Sequence, residues 1–329
     1  MGGTLDISTF YYPLMHLNPC TFNISIDLRT KIFFLPFEDG KIKVSSRGFR
    51  SAVFDSRKAP FNHPLGLVFA VLSFFNADGI HIVIDSSSPP RSALGGSSAA
   101  AVAIVSGFLK LMEKSGRKSF SRRKAVILAH AIEQSVAGVP CGLQDQLAAA
   151  FGGVNAWYWK DGTKSPGFVR RSILKKELSN DFEKNIILAY CGIPHESKNI
   201  NSRWVTQFVS GQYRDFWNEI VECTSGFIDA VSEHKFHDAV LFMNRETAIR
   251  RRMTPDVVDE IGRKLIISAQ KNGCGARFTG AGGGGCIWAI GEAGDVERLK
   301  NKWESILSQR EGARLLEFGI DFKGVSADQ

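Results

Sequence analysis

Cysteine is scarce in this chain: six in 329 residues, with no C-x-x-C among them. Cys20, Cys141, Cys191, Cys223, Cys274 and Cys286 have spacings that suit neither a zinc site nor a disulfide framework. Scattered thiols of this kind point to a reducing, cytoplasmic setting. Long apolar runs are also missing. The longest, Leu65–Phe75 and Ala99–Met112, are shorter than the ~20 residues of a bilayer span, and the second reads as a buried helix. No basic region followed by an apolar core opens the chain, which argues against a secretory leader. Charge of one sign is not concentrated either: 41 Lys+Arg against 33 Asp+Glu give a net +8. Its clusters are short: Arg122-Arg123-Lys124, Arg170-Arg171, Lys175-Lys176 and Arg250-Arg251-Arg252. They read as solvated faces. Without basic residues interleaved with aromatics, no nucleic-acid partner is expected, and no membrane partner. There is no internal repeat and no low-complexity segment.

What is present is an ordinary globular composition, 44% hydrophobic and 22% charged, long enough for two domains. Thr21–Phe37 reads as one or two strands, Asp39-Gly40 as a hairpin turn and Lys41–Ser45 as a further strand. Pro64–Asn76 reads as an apolar helix, Ile80–Ile84 as a strand, and Arg122 to about Val136 as a helix capped by Ser121. Gln144–Phe151 is a short Ala-rich helix, followed by a strand at Ala156–Trp159 with a turn at Asp161-Gly162. Ile186–Tyr190 is a buried strand, and helical patterning dominates Trp204–Asn272. A strand then leads into a glycine loop, followed by a strand at Cys286–Ile290 and a helix at Glu297–Gln309. Alternation at Leu316, Phe318, Ile320 and Phe322 predicts a closing strand. The fold class is α+β, with domains at 1–166 and 167–329 and a boundary near Ser165-Pro166-Gly167.

Ser86–Ala101, S-S-S-P-P-R-S-A-L-G-G-S-S-A-A-A, is the centre of this arrangement. Its prolines bring the chain in extended, Gly95-Gly96 permit close approach, and Ser97 or Ser98 can cap a helix running through Ala99 to about Met112. Such a loop presents free N–H groups and the positive helix end to an anion, although a plain capped turn has the same sequence. Two further glycine stretches flank it, M-G-G-T-L-D at the start and T-G-A-G-G-G-G at Thr279–Gly285. Between the last two lies Asp145, in G-L-Q-D-Q-L-A-A-A-F-G-G-V-N, twelve residues after Glu133.

In this order the motifs resemble the galactokinase–homoserine kinase–mevalonate kinase–phosphomevalonate kinase superfamily, whose phosphate loop reads P-x-x-x-G-L-G-S-S-A-A. Within it, P-P-R-S-A-L-G-G-S-S at Pro89–Ser98 and the stretches just quoted resemble the sugar kinases acting on D-glycero-D-manno-heptose 7-phosphate. The resemblance implies a two-domain kinase fold. Its N-terminal domain is a mixed sheet with helices, its C-terminal domain a helix-rich α/β sandwich, and ATP sits in the cleft between them. It implies that Pro90, Arg91, Leu94, Gly95, Gly96, Ser97, Ser98 and Ala99 hold the phosphates of ATP. Ser98 and Glu133 would hold Mg²⁺, and Asp145 would act on the acceptor hydroxyl. Gly3, Thr4 and Asp6, with Gly280, Ala281, Gly282, Gly283 and Gly284, would line the acceptor. His195 is a further cleft candidate.

The sequence departs from the family at Ala93 and Gly96, where Gly and Ser are expected; both changes keep the loop small. The family also has a strand before its first glycine motif, and its absence here would expose a sheet edge. The expected activity is phosphorylation of a sugar or sugar-phosphate hydroxyl, with a homodimer left open. Two other readings stay open, a non-catalytic ligand sensor and a kinase of an isoprenoid or amino-acid intermediate.

Overall fold

A computed structural model describes residues 1–116, 119–138, 140–161, 167–194 and 197–327. In chain order the first half contains α1 (Ser8–Tyr11), β1 (Cys20–Ile24), β2 (Thr30–Pro36), β3 (Lys41–Ser46), β4 (Ala52–Asp55), α2 (Gly66–Phe74) and β5 (Ile80–Ser86). It continues through α3 (Gly96–Lys114), α4 (Arg122–Ala137), α5 (Gln144–Phe151), β6 (Val154–Lys160) and β7 (Gly167–Ser172). The second half opens with α6 (Ser179–Glu183), β8 (Ile186–Tyr190), α7 (Ser197–Val209), α8 (Arg214–Ser232) and α9 (Phe236–Met253). It closes with α10 (Glu260–Lys271), β9 (Gly275–Phe278), β10 (Cys286–Ile290), α11 (Ala293–Leu307) and β11 (Arg314–Leu315). The expected boundary and the turn after Asp161 fall at 162–166, outside the described residues, as does His195.

The first half holds a mixed sheet, β2-β5-β3-β4, in which β3 and β5 run parallel, and an antiparallel sheet, β1-β6-β7. The apolar face of α3 packs among α2, α4, α5 and β2 around Phe69, Val102, Val105 and Ala129. At 19 residues α3 is longer than its sequence reading and apolar enough to cross a bilayer by length and composition, yet eight of its residues are buried in this core. Ser121 caps α4 as expected, its hydroxyl accepting from Lys124 N.

In the second half one antiparallel sheet, β11-β8-β10-β9, separates two cores. β8 and β10 are apolar at nearly every position because both faces are covered. Ile187, Ala189, Ile287 and Ala289 face the α10–α11 side, whereas Ile186, Leu188, Trp288 and Ile290 face a core shared with β1 and β6. The two halves therefore share apolar packing. The N-terminal segment adds to it: Leu5, Ile7 and Phe10 enter the second-half core, with Phe10 stacked on Trp217 at 4.1 Å.

Four sequence expectations need correction. Asp39-Gly40 does not turn a hairpin: β2 and β3 on either side of it are separated in the sheet by β5. Neither Ser97 nor Ser98 caps α3; Gly95 occupies the cap position at φ +69°, and no side chain accepts there. The closing strand predicted over Leu316–Phe322 does not form in the second-half sheet, whose last strand, β11, ends at Leu315. Beyond it, Ile320 bridges to Ile26 of the first half, so the alternating residues serve an inter-domain crossing. The Arg170-Arg171 cluster is not a simple solvated face: it lies on β7, a strand missed in the sequence, with Arg170 Nε donating to Asn155 at 2.6 Å.

Candidate active site

The strand β5 delivers the chain to the phosphate loop, and the loop's backbone is unusual. Arg91 (φ +54°), Ala93 (φ +60°) and Gly95 (φ +69°) all lie in the left-handed region. For Arg91 and Ala93 this is uncommon backbone that surrounding contacts must hold. Pro90 packs on Gly48, and the Arg91 guanidinium lies 6.0 Å from the Phe49 ring. The first bond of α3 runs from Ala99 N to Gly95 O, leaving the N–H groups of Gly96, Ser97 and Ser98 outside the helical ladder. Free N–H groups at the positive end of a long helix suit phosphate oxygens.

Behind the loop, the buried Ser98 hydroxyl lies within hydrogen-bond distance of both Glu133 oxygens, at 3.1 and 2.8 Å. Gln146 Nε2 donates to the same carboxylate at 2.6 Å. Nothing in the spacing of Gln146 marks this contact in the sequence. Burial pushes the Glu133 pKa up, while the Ser98 and Gln146 hydrogen bonds pull it down.

Asp145 lies in the first turn of α5, and its side chain lies against Gly95: a Cβ built there would come 3.0 Å from Asp145 Cβ and Cγ. This close approach is why position 95 has no side chain, and it fixes the carboxylate beside the phosphate loop. On the other side, Asp6 Oδ2 accepts from Gln144 N at 2.9 Å, while Asp6 Oδ1 is buried without a partner. Burial raises the Asp6 pKa. Asp145 is pushed up to about 7, by burial first and then by the charges of Glu133 and Asp6.

These groups line a cavity of about 400 Å³. Pro90, Arg91, Leu94, Gly95, Gly96, Ser97 and Ser98 face it, with Glu133, Asp145, Thr4, Asp6, Gly280 and Ala281. The structure does not bring the remaining expected residues to it. Gly3 lies behind Thr4, its carbonyl taken by Arg250. Ala99 lines a neighbouring cavity of about 800 Å³. Gly282 turns toward Val257, and Gly283 N donates to Val257 O at 2.8 Å. Gly282, Gly283 and Gly284 act instead as the turn that lets Gly285 (φ +83°) press on the phosphate loop, where a Cβ would stand 2.5 Å from Ser92 O.

The oxygen donors Ser98 and Glu133 fit Mg²⁺, and three carboxylates facing one cavity are an environment that a cation relieves. Among the described residues no three His, Cys, Asp or Glu side chains converge on one point. Phosphate oxygens and water would have to complete the coordination, as Mg²⁺ commonly allows.

Two family models match this chain, the GHMP kinase N-terminal domain over residues 62–153 and the GHMP kinase C-terminal domain over residues 243–309. The chain belongs to the GHMP kinases. The N-terminal match contains the phosphate loop, Glu133 and Asp145, and the C-terminal one contains Glu246, Arg250 and the whole Thr279–Gly285 loop. Among curated GHMP kinases, the mevalonate kinase of Pyrococcus abyssi is 25% identical over 295 residues, covering 81% of this chain and 80% of that protein. The D-glycero-alpha-D-manno-heptose 7-phosphate kinase of Campylobacter jejuni is 23% identical over 251 residues, covering 76% and 67%. The solved galactokinase of Lactococcus lactis, complexed with galactose, superposes with a TM-score of 0.71 at 17% identity, covering 94% and 89%. The GHMP fold is thus present in both halves, and the chain is a phosphotransferase with an alcohol group as acceptor.

Sequence reading missed three charged residues beside this kinase site. Arg250, read as part of a solvated cluster, has no exposure and pairs with Glu246 at 2.9 Å. Arg277, also buried, pairs with the same Glu246 at 2.7 Å. Glu246 and Arg250 are four apart on α9, a spacing that marks an intrahelical pair.

Proposed function

We propose that this GHMP kinase transfers the γ-phosphoryl group of Mg²⁺-ATP to a hydroxyl of a sugar or sugar phosphate. The observation that carries the reading is the position of Asp145, whose carboxylate touches Gly95 of the phosphate loop and shares one cavity with Thr4 and Asp6. Phosphoryl transfer asks little covalent chemistry of a protein. It asks for alignment, charge neutralisation and a group that orients or deprotonates the nucleophile. Gly96, Ser97 and Ser98 would hold phosphate oxygens through backbone N–H groups. Ser98 and Glu133 would hold Mg²⁺, which supplies charge neutralisation at the transferring group. Asp145, ionised, would accept the acceptor's proton. The apolar wall of Phe49, Leu65 and Leu67 beyond the loop would take the base.

Acceptor chemistry follows from the other end of the cavity. Asp6 Oδ1 is buried and unpaired, so a donor hydroxyl there is favoured. Among the described residues, the cations on this cavity's lining are Arg47 and Arg91, both on the nucleotide side. An anionic acceptor, whether carboxylate or phosphate, would find no positive side chain lining the cavity at Thr4 and Asp6, because Arg250 behind Thr4 gives its donors to Glu246, Gly3 and Thr4. Of the acceptors proposed, this favours a neutral polyhydroxylated one. The mevalonate kinase relatives support the second reading, an isoprenoid intermediate as acceptor. A coupled ADP-release assay over neutral sugars, sugar phosphates, mevalonate and homoserine separates these. Turnover of mevalonate alone would overturn the sugar reading, and tight ATP binding with no acceptor turned over would favour a sensor.

A further inference from the structure

Glu246, Arg250 and Arg277 form a buried charged network with an unusual division of labour. Glu246 accepts from Arg250 Nε at 2.9 Å, from Arg277 Nε at 2.7 Å and from Arg277 Nη2 at 3.2 Å. Each arginine then spends its remaining donors on a different loop. Arg250 donates to Gly3 O at 2.7 Å and to Thr4 Oγ1 at 3.2 Å. Arg277 donates to Phe278 O at 2.7 Å and to Gly280 O at 3.5 Å. The Arg250 guanidinium lies 4.5 Å from the Trp204 ring and 4.7 Å from Trp217, so it is stacked as well as paired.

A buried ion-pair network is often no more stabilising than apolar packing of the same volume, so stability alone is a weak reason for two arginines and one glutamate here. The backbone they hold gives a better one. Thr4 is a β-branched residue at φ +75°, a genuine outlier that must be held in place. Thr4 and Gly280 both line the site cavity, and a Cβ on Gly3 would lie 3.0 Å from Gly280 O and 3.6 Å from the Gln144 side chain. The Gly3–Thr4 turn, the start of the glycine loop and the residue preceding Asp145 therefore meet at one point.

We propose that Arg250, Glu246 and Arg277 are positioning residues: Glu246 latches the two arginines so that the Gly3–Thr4 turn and the Phe278–Gly280 turn keep one fixed separation. That separation sets where an acceptor lies relative to Asp145. The inference deepens the kinase reading above and rests on it, but its structural half can be tested without any acceptor. None of the three side chains needs to touch substrate.

The test compares Arg250→Lys, which keeps the charge and loses the fork, with the parent and with Arg252→Lys on the exposed side of the same helix. Glu246→Gln is added if it folds. NMR amide exchange is recorded on the protein without ligand. The latch predicts exchange at least about tenfold faster at Thr4 and at 279–285 together in Arg250→Lys, while α3 and α4 amides stay unchanged. Uniform acceleration across the protein, or acceleration at Thr4 alone, overturns it. Kinetics supply the second readout, with the acceptor that the coupled assay selects. KM for that acceptor should rise, or kcat fall, by about tenfold or more, while the Kd for Mg²⁺-ATP stays within about twofold. Equal losses for both substrates overturn the positioning role. If the exchange result holds and no acceptor is turned over, it is the kinase reading that fails and the latch that stands.

Discussion

At the residue scale, the site's working group is a carboxylate that its surroundings keep from ionising easily. Asp145 is moved from the ordinary 3.8 to about 7, by burial first and then by Glu133 and Asp6. A base works only when ionised, so kcat/KM should fall as pH drops through about 7. Asp6→Asn removes a negative neighbour and should move that limb to lower pH; an unmoved limb would show that Asp145 does not set it. Asp145→Asn should cost ~10²–10⁴-fold in turnover with nucleotide binding kept. The same shift has a stability consequence of definite sign. Because the folded pKa lies above the unfolded one, this group's contribution is fully present below about 4 and is lost as pH rises through about 7. The Asn variant, which never ionises, should therefore melt higher than the parent at pH 8, and a lower melting temperature there would contradict the assigned shift. Glu133→Gln should raise the Mg²⁺ requirement with less effect on acceptor KM. Superimposable Mg²⁺ titrations would remove Glu133 from the metal site.

At the scale of elements, glycine loops and helix starts decide the geometry. Gly285→Ala places a Cβ on Ser92 O at a backbone angle of +83°, so either the phosphate loop or the glycine loop must move. The expected result is weaker ATP binding together with a loss of ~1–3 kcal/mol of stability; unchanged binding would separate the two loops functionally. The outer edge of β1 yields another test. Met1 and Phe22 exchange both backbone hydrogen bonds at 3.0 Å, the pattern of an antiparallel pair, and the edge beyond borders the cavity of about 800 Å³ lined by Ile24, Phe34, Leu94 and Trp288. Adding about six alternating apolar residues ahead of Met1 should extend that ladder and raise the melting temperature. An unchanged melting temperature would show that the cavity does not accept a strand. Much of this level was legible in the sequence. The three glycine loops, α4 with its serine cap, and the runs of β8 and β10 were read from local pattern. The network of Glu246, Arg250 and Arg277 was not, because a triple arginine looks solvated until the fold places Trp204 and Trp217 around its first member. Gln146 was missed for a similar reason: its partner Glu133 lies on another helix.

At the scale of the whole molecule, the segment after β11 explains how Asp145 is held by residues far from it in sequence. Leaving β8 at the bond from Leu316 N to Leu188 O, the chain crosses to the first half. Asp27 N donates to Gly319 O and Asp321 N to Ser25 O, each at 2.9 Å. Gly153 N donates to Asp321 O at 2.7 Å, and Val325 N to Ala150 O at 3.2 Å. Arg29 pairs with Asp321 at 2.5 Å. Gly152 and Gly153 end α5, so this crossing segment buttresses the helix whose first turn carries Asp145. Its alternation of Phe318, Ile320 and Phe322 is real, and these side chains pack half-buried on the core that β1, β6 and β8 share. Alternation cannot say which sheet a strand will join, which is why the sequence reading closed the second half with it. Ending the chain after Leu315 removes all these contacts. If each of the three side chains contributes about half of a full burial of ~1.5–3 kcal/mol, the loss is roughly 2–4 kcal/mol. With an unfolding entropy of ~2.1 cal/mol/K per residue over 329 residues, that corresponds to a fall in melting temperature on the order of 3–6 °C. Turnover should fall further than stability requires, because α5 loses its support while the Glu133–Ser98 pair and the phosphate loop keep theirs. Thermal unfolding and Mg²⁺-ATP binding of the shortened chain beside the parent decide it. A lower melting temperature with intact nucleotide binding and lost turnover is the expected pattern, and an unchanged melting temperature would make the segment a passive tail.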